Sequence, residues 1–181
     1  KVVSCRGSAE KVKLLVYAER KEKFKALLEA IDAVHCVSAD MVNTIAPYCS
    51  KMEKVFINFP SIDTSYFKRE QKKEPSTQKV ILSVGRMTFQ KGYIMGLLAI
   101  KMLTASGIDF KWIIAGNGPK YEEIIIAIQQ LGLEKYVTLP GARSKEQVKE
   151  LMETADVFFL PSMYEGIANV VLEAMSMEVP V

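Results

Sequence analysis

Residues 80–92 read VILSVGRMTFQKG, an apolar run broken only by Ser83 that ends at a loop with glycines and two cations. A run of this kind is typical of a strand that is covered on both faces in a parallel sheet. Apolar side chains then recur at helical spacing, namely Ile94, Leu97, Leu98 and Leu103. The stretch therefore predicts a strand, a loop and a helix, in that order.

The same unit recurs along the rest of the chain. Further strands are predicted at 110–115, 136–139 and 157–160, with the start of another at 179–181. Helices are predicted from Pro119 to about 131, from the capping box at 144–147, and from about 168 to 177. The alternation predicts an α/β, Rossmann-like parallel sheet covered by helices on both faces. Such sheets bind ligands at the carboxyl ends of their strands.

The first third of the chain follows a similar pattern. Strands are predicted at 2–5, 33–37 and 54–58, and helices from about 10 to 30 and after an N-cap at Ser38. A polar connector at 61–79, with Pro75 and mixed charges that include Lys68, Arg69, Lys72 and Lys73, follows this part and is the predicted domain boundary. We interpret the charged run at 68–74 as a solvated linker.

Composition excludes several classes of protein. The 181 residues carry 24 Lys+Arg and 21 Asp+Glu, and this net charge of +3 is too small to indicate nucleic-acid binding. The three cysteines fit neither a disulfide framework nor a zinc site, which favours a reducing, cytoplasmic location. No apolar stretch approaches the roughly 20 residues of a membrane span. Because the chain starts without Met and ends within a strand pattern, we expect a fragment of a longer protein.

The loop at 85–92 is a candidate anion site. Arg86 and Lys91 would lie at a strand end before a helix, and Gly85 allows the backbone to approach a ligand closely. Two cations beside a helix N-terminus suit a diphosphate. A pair of ordinary surface cations is the alternative. The next strand-end loop, 116–119, is a weaker signal, because Tyr121 replaces the third glycine of a dinucleotide fingerprint.

Two carboxylates flank the last predicted helix start. Glu165 precedes that helix. Glu173 lies inside it, about 9–10 Å along the helix axis from the helix start. The free backbone amides between them could hold phosphate oxygens. This arrangement fits a nucleotide-sugar, with one carboxylate for the sugar hydroxyls and the other for the ribose. A helix-start anion followed by an unrelated surface glutamate is the alternative.

As a set, these motifs resemble the donor-binding domain of retaining GT-B glycosyltransferases of glycosyltransferase family 4. The resemblance rests on Gly85-Arg86 with Lys91-Gly92, on residues 115–119 and 155–162, and on Glu165-Gly166 through Glu173 with 179–181. It is strong over 80–181 and weaker upstream. It implies that residues 1–60 end an N-terminal acceptor domain, 61–79 link the domains, and 80–181 form an incomplete donor-binding domain.

The resemblance also implies roles for residues. The donor would be a UDP- or GDP-linked sugar, bound without an essential metal and transferred with retention to a glycan or lipid-linked acceptor, as in polysaccharide biosynthesis. Arg86, Lys91 and Glu165 would act at the diphosphate and the sugar, and Glu173 at the ribose. The other donor-binding residues implied are Gly85, Gly116, Asn117, Gly118, Arg143, Gly166, Ile167, Ala168 and Asn169. A peripheral contact with the inner face of the membrane stays open.

Some positions depart from the family pattern. The link reads Asn58 to Asp63 and is slightly longer than usual, and Arg6 stands where many members carry a histidine, so no catalytic histidine is assigned. His35, in an apolar strand, is interpreted as structural. Alternatives are a non-catalytic nucleotide-binding module and a GT-B-like epimerase or phosphorylase. We do not expect this chain to catalyse transfer by itself.

Overall fold

A computed structural model describes residues 1–7, 9–70 and 73–181. Ser8, after the first predicted strand, and Lys72, in the predicted linker, lie outside the described residues. The chain forms two compact units, one of residues 1–61 with 164–169 and the other of residues 62–163 with 170–181. The predicted roles of 1–60, 61–79 and 80–181 as acceptor domain, linker and donor domain stay predictions.

The first unit contains a parallel three-stranded sheet. Its strands, in the order β1-β2-β3, are β1 (Val2–Cys5), β2 (Ala33–Cys36) and β3 (Val55–Ile57). Its helices are α1 (Leu14–Val16), α2 (Ala18–Ala30) and α3 (Ala39–Ile45). Ser38 caps α3 as predicted, because its side chain accepts a hydrogen bond from Met41 N. The core of this unit is formed by Cys5, Leu28, Val34, Cys36, Met41 and Ile45.

The helix predicted from about residue 10 to 30 is interrupted. A π-helical turn (Ala9–Lys13) leads into α1, and the backbone is then extended at Tyr17, with φ −113° and ψ 103°. Leu15, Val16 and Tyr17 are exposed, so little burial of apolar surface stabilises a helix across this stretch. Val and Tyr also have low helix propensity. The prediction of one continuous helix was therefore wrong.

The second unit contains a parallel four-stranded sheet in the order β6-β5-β4-β7. The strands are β4 (Lys79–Val84), β5 (Phe110–Ala115), β6 (Val137–Gly141) and β7 (Val157–Phe158). The helices are α4 (Tyr93–Leu103), α5 (Tyr121–Gln130), α6 (Lys145–Thr154) and α7 (Asn169–Ser176), of which Asn169 clusters with the first unit. Ser144 and Gln147 form the predicted capping box of α6. The α/β class and the parallel sheet are confirmed.

The sheet of the second unit is covered on both faces. One apolar cluster includes Leu97 of α4, Trp112 of β5 and Ile124 of α5. The other includes Leu82 of β4 and Met152 of α6. Chain order reverses between β4 and β7, which makes the carboxyl ends of these two strands a topological switch point. In open α/β sheets, ligands bind at such points.

Two segments of the second unit differ from expectation. Residues 179–181 do not form the predicted fifth strand, although Pro180 O accepts a hydrogen bond from Phe158 N at 2.7 Å. Pro180 has no N–H with which to extend a ladder. In the connector, Phe67 is only 2% exposed and Arg69 Nε donates to Met177 O at 3.0 Å. Part of the connector is thus packed rather than solvated.

Candidate functional site at the strand ends

Backbone hydrogen bonds join the loops after β4 and β5 to neighbouring strand ends and to each other. Gly85 N donates to Ala115 O at 3.0 Å, and Gly116 N donates to Gly141 O at 2.9 Å. Beyond the sheet, Met87 N donates to Asn117 O at 2.8 Å. The loop that carries Arg86 is therefore held by the 116–119 loop rather than extending freely into solvent.

Glycine is required for this close approach. Gly116 and Gly118 have φ of 155° and 158°. A Cβ at Gly116 would lie 2.0 Å from Gly85 O, and one at Gly118 would lie 2.4 Å from Met87 O. The amide of Gly118 is also bonded within the loop, to Asn117 Oδ1 at 2.7 Å. We therefore assign a bracing function to this loop, and direct donor contact by Gly116, Asn117 or Gly118 stays a prediction.

Arg86 and Lys91 lie in the loop after β4. The Arg86 side chain is exposed and makes no ion pair with any residue that the structure describes. Lys91 is half-buried, and its Cε lies 3.3 Å from the position of a Cβ at Gly85. The bare Cα of Gly85 thus makes room for the lysine stem beside the strand end. Both cations belong to the loop of the switch-point strand β4, as the sequence predicted.

The loops after β4 and β7 meet at the switch point. Met163 N donates to Gln90 O at 2.9 Å, and a Cβ at Gly92 would lie 2.0 Å from Pro161 O. Gly92 has a left-handed φ of 65° and immediately precedes α4. The cation loop is consequently fixed on both sides, by the 116–119 loop and by the loop that follows β7.

Glu173 lies on α7, half-buried in the second unit. Burial raises the pKa of its carboxyl, and the nearby Lys145 ammonium opposes that shift. A partly desolvated carboxylate of this kind is an effective hydrogen-bond acceptor for ligand hydroxyls. A role for Glu173 at the ribose hydroxyls stays a prediction.

The start of α6 brings together residues that sequence reasoning missed. Lys145 Nζ lies 4.1 Å from the Tyr66 ring centroid and 5.2 Å from that of Phe67. These cation–π contacts connect the connector segment to α6. Arg143, predicted near the base, is exposed and donates from Nη1 to Ala142 O at 3.4 Å. The only sequence signal for Lys145 was its place in the first turn after Ser144.

Glu165 and its neighbours belong to the first unit. The 164–169 segment clusters with residues 1–61, whereas Glu173 belongs to the second unit. Within the first unit, Glu165 O accepts a hydrogen bond from Lys11 Nζ at 3.0 Å. The other segment residues predicted to bind donor are the half-buried Gly166, Ile167 and Ala168 and the exposed Asn169. A single site for both glutamates stays a prediction.

His35 makes the contacts of a structural histidine. Its Nε2 bonds to Asn58 O at 2.9 Å, and its Nδ1 bonds to Ser4 Oγ at 2.8 Å. A carbonyl only accepts hydrogen bonds, so Nε2 carries a proton, and in the neutral imidazole Nδ1 accepts from the Ser4 hydroxyl. Both ring nitrogens are thus used in joining neighbouring strands of the first sheet.

Among the residues that the structure describes, no group of three or more His, Cys, Asp or Glu side chains is arranged to hold a metal ion. None of the helices in the described ranges combines the length and apolar character needed to cross a bilayer.

The fold matches that of solved glycosyltransferases of the GT-B fold. One similar structure is a crystal structure of a mutant of S. aureus TarM in complex with fondaparinux, α-GlcNAc-glycerol and UDP. The match covers 100% of this chain and 36% of the TarM chain, with TM-score 0.84 and 18% identity. Another is a crystal structure of Anabaena HepE in complex with UDP and glucose. The match covers 99% of this chain and 51% of the HepE chain, with TM-score 0.78 and 18% identity. These likenesses show the fold.

The family is shown by sequence. The profile of the Glycosyl transferases group 1 family matches residues 65–181, and the chain belongs to that family. The putative colanic acid biosynthesis glycosyltransferase WcaL of Escherichia coli K12 is 34% identical over 135 residues, which is 71% of this chain and 33% of WcaL. The amylovoran biosynthesis glycosyltransferase AmsK of Erwinia amylovora is 36% identical over 107 residues, 56% of this chain and 26% of AmsK. The chain thus spans about a third or less of these relatives.

Proposed function

We propose that this chain is the donor-binding part of a retaining glycosyltransferase of family 4. The protein would transfer a sugar from a UDP- or GDP-linked donor to a glycan or lipid-linked acceptor, as in polysaccharide biosynthesis. The observation that carries the proposal is the strand-end arrangement of the second unit. Arg86 and Lys91 lie on a braced loop at the switch point, and a half-buried Glu173 lies on the helix after β7. The family match over 65–181 supports it.

In the proposed reaction, Arg86 and Lys91 contact the diphosphate. The bond between the anomeric carbon and the diphosphate oxygen breaks, and its electron pair leaves with the diphosphate. Fixed cations stabilise that developing charge because they need no reorganisation during the reaction. The acceptor hydroxyl oxygen forms the new bond on the same face, and its proton passes to the released diphosphate or to solvent.

The remaining side chains would hold the donor. Glu165 accepts hydrogen bonds from the sugar hydroxyls, and Glu173 from those of the ribose. Backbone amides at 166–168 contact the phosphates, and Arg143 lies beside the base. We further propose that the donor binds without an essential metal and that the protein works in the cytoplasm or at the inner face of the membrane.

Calorimetric titration of the complete protein with UDP, GDP and ADP tests this function. We expect one nucleotide to bind in EDTA as well as in magnesium, and Glu173→Ala to weaken it roughly tenfold or more, since charge-assisted hydrogen bonds contribute about 1.5–3 kcal/mol. Glu150→Gln, an exposed position on α6, is the control. The proposal fails if no nucleotide binds, or if Glu173→Ala and Arg86→Ala leave the affinity unchanged.

A further inference from the structure

The 164–169 segment is packed directly on the end of β1. A Cβ at Gly166 would lie 2.2 Å from Arg6 O and 3.1 Å from Val37 Cγ2. Only a glycine allows the backbone to lie this close to another main-chain carbonyl without displacing it. The packing of Gly166 against Arg6 and Val37 therefore fixes the segment at the residue after Glu165.

Lys11 holds the segment at Glu165 itself. Its ammonium donates to Glu165 O at 3.0 Å and forms an ion pair with the Asp40 carboxylate in the first turn of α3. The Lys11 side chain is 21% exposed, whereas that of Asp40 is 69% exposed. A half-buried ammonium with two oxygen partners is restrained in position, and it restrains the carbonyl that it contacts.

The turn that carries Lys11 is itself anchored. The carboxylate of Glu10 accepts a hydrogen bond from Gly7 N at 3.0 Å, and Lys11 N donates to Gly7 O at 3.0 Å. The ammonium is thus presented from a turn that is fixed to the residues directly after β1. Glu165 is 154 positions away along the chain, so its backbone position depends on a contact that no local pattern signals.

We propose that Lys11 is a positioning residue for Glu165. It holds the Glu165 carbonyl, so that the side chain starts from a fixed backbone position and its carboxylate meets the donor sugar in one orientation. The proposal rests on the proposed function, in which Glu165 binds the sugar hydroxyls. Lys11 acts through the main chain and does not contact the sugar. Gly166 keeps its own packing against Arg6 O and Val37 when Lys11 is lost, so the amides at 166–168 should stay in place. The loss of Lys11 should therefore impair sugar transfer and leave nucleotide binding largely intact.

The test measures sugar transfer and nucleotide affinity in the same preparations of the complete protein. Lys11→Met keeps the apolar stem and removes the ammonium, and we expect it to lower kcat roughly tenfold or more, because small misplacements of a binding group have effects of this size. Nucleoside diphosphate affinity should stay within about twofold of the wild type, as for substitutions away from the contacts. Lys11→Arg, which can still donate to the carbonyl, should restore much of the activity.

Matched variants separate the two contacts of Lys11. Lys13→Met removes an exposed ammonium from the same turn and should leave both quantities unchanged. Asp40→Asn removes the ion pair but keeps the contact with Glu165, so it should have a smaller effect than Lys11→Met. If Lys11→Met does not fold, Lys11→Gln is measured in its place.

Glu165→Gln, assayed in parallel, distinguishes the two hypotheses. If Glu165→Gln leaves transfer unchanged, the role proposed for Glu165 is wrong. If it lowers transfer but the Lys11 variants do not, the positioning proposal is overturned. It is also overturned if the Lys11 variants weaken nucleotide binding as much as they lower kcat, because that would indicate a general structural role.

Discussion

Trp112 Nε1 donates a hydrogen bond to Ser83 Oγ at 2.9 Å, and both side chains are fully buried. The Ser83 hydroxyl in turn donates to Phe159 O. This chain of bonds connects β5, β4 and the residue after β7 directly beneath the switch point. A hydroxyl in an otherwise apolar strand is thus explained by the need of the buried indole N–H for an acceptor.

Ser83→Ala should lower the free energy of unfolding by about 1–3 kcal/mol, because it leaves the indole donor and the Phe159 carbonyl without partners. Urea unfolding followed by the fluorescence of Trp112 measures the change. Ser61→Ala, at an exposed serine, is the control and should change stability by less than about 0.5 kcal/mol. Equal stability of the two variants would contradict this account of Ser83.

Asp156 fixes the start of β4. Its carboxylate accepts a hydrogen bond from Val80 N at 2.7 Å and forms an ion pair with Lys73, and the Asp156 side chain is 23% exposed. Burial opposes ionisation of this carboxyl, yet the contacts with Lys73 and Val80 outweigh it and lower its pKa. A lowered pKa means that the ionised form contributes stability above the usual carboxyl range.

We expect Asp156→Ala to lower the free energy of unfolding by about 1–3 kcal/mol at pH 7. Asp156→Asn should lower it less, because the amide oxygen can still accept a hydrogen bond from Val80 N. The advantage of the wild type over Asp156→Asn should disappear as the pH falls through the lowered pKa, since both are then uncharged. Thermal unfolding between pH 7 and pH 3 tests this. If the stability difference between the wild type and Asp156→Asn grew on acidification, the pKa of Asp156 would not be lowered in the folded protein.

The sequence predicted those parts of the fold that depend on neighbouring residues. Ser144 and Gln147 could be identified as a capping box because both partners lie within one helical turn. The strand-end position of Arg86 followed from the apolar run that precedes it. Contacts between distant residues had no such signal. Arg69 was predicted to be solvated because its neighbours are charged, whereas its side chain donates to Met152 O of α6 and to Met177 O directly after α7.

The candidate site shows the same division. The loop of Lys91 and the helix of Glu173 follow from local patterns. The packing of Glu165 with the first unit depends on Lys11 and on the backbone of Arg6, far away in the sequence. Tyr17 illustrates a further limit, because the helix predicted from about residue 10 to 30 includes it, although Val16 and Tyr17 are largely exposed.

The thiols should be unreactive in the folded protein. Cys5, Cys36 and Cys49 are all buried, and burial, assisted by the charge of Glu10, raises the pKa of the Cys5 thiol to about 12. Because the thiolate is the nucleophile, we expect little labelling by iodoacetamide at pH 8 under native conditions. Complete labelling should follow in denaturant. Rapid labelling of the native protein would contradict the burial described for this sheet.

Gly92 and Gly107 form a matched pair, since both have left-handed backbones, with φ of 65° and 75°. A Cβ at Gly107 would meet nothing within 4 Å, whereas one at Gly92 would lie 2.0 Å from Pro161 O. Gly107→Ala should therefore lower the free energy of unfolding by only about 1–2 kcal/mol, which is the cost of a left-handed backbone for a residue with a Cβ. Gly92→Ala should cost more and should also weaken nucleotide binding, because it moves the loop of Lys91. Equal costs in urea unfolding would show that the contact between the loops is loose.

Glu173 is expected to reduce the free energy of unfolding at neutral pH. Burial raises its pKa, so between the usual carboxyl range and the raised value the folded state binds more protons than the unfolded state. Stability from this group is therefore lost as the pH rises through that interval. Glu173→Gln removes the ionisable group and should unfold at a higher temperature than the wild type at pH 7. The difference in unfolding temperature between Glu173→Gln and the wild type should vanish toward pH 4.

Nucleotide affinity of the same variant separates a binding carboxylate from a merely buried one. A more stable Glu173→Gln protein with affinity reduced roughly tenfold would show that the ionised carboxylate is retained for its ligand, since a neutral amide accepts hydrogen bonds less strongly. Glu150→Gln should change neither quantity. A gain in stability with full affinity would instead show that Glu173 is a partly buried side chain without a role at the ribose.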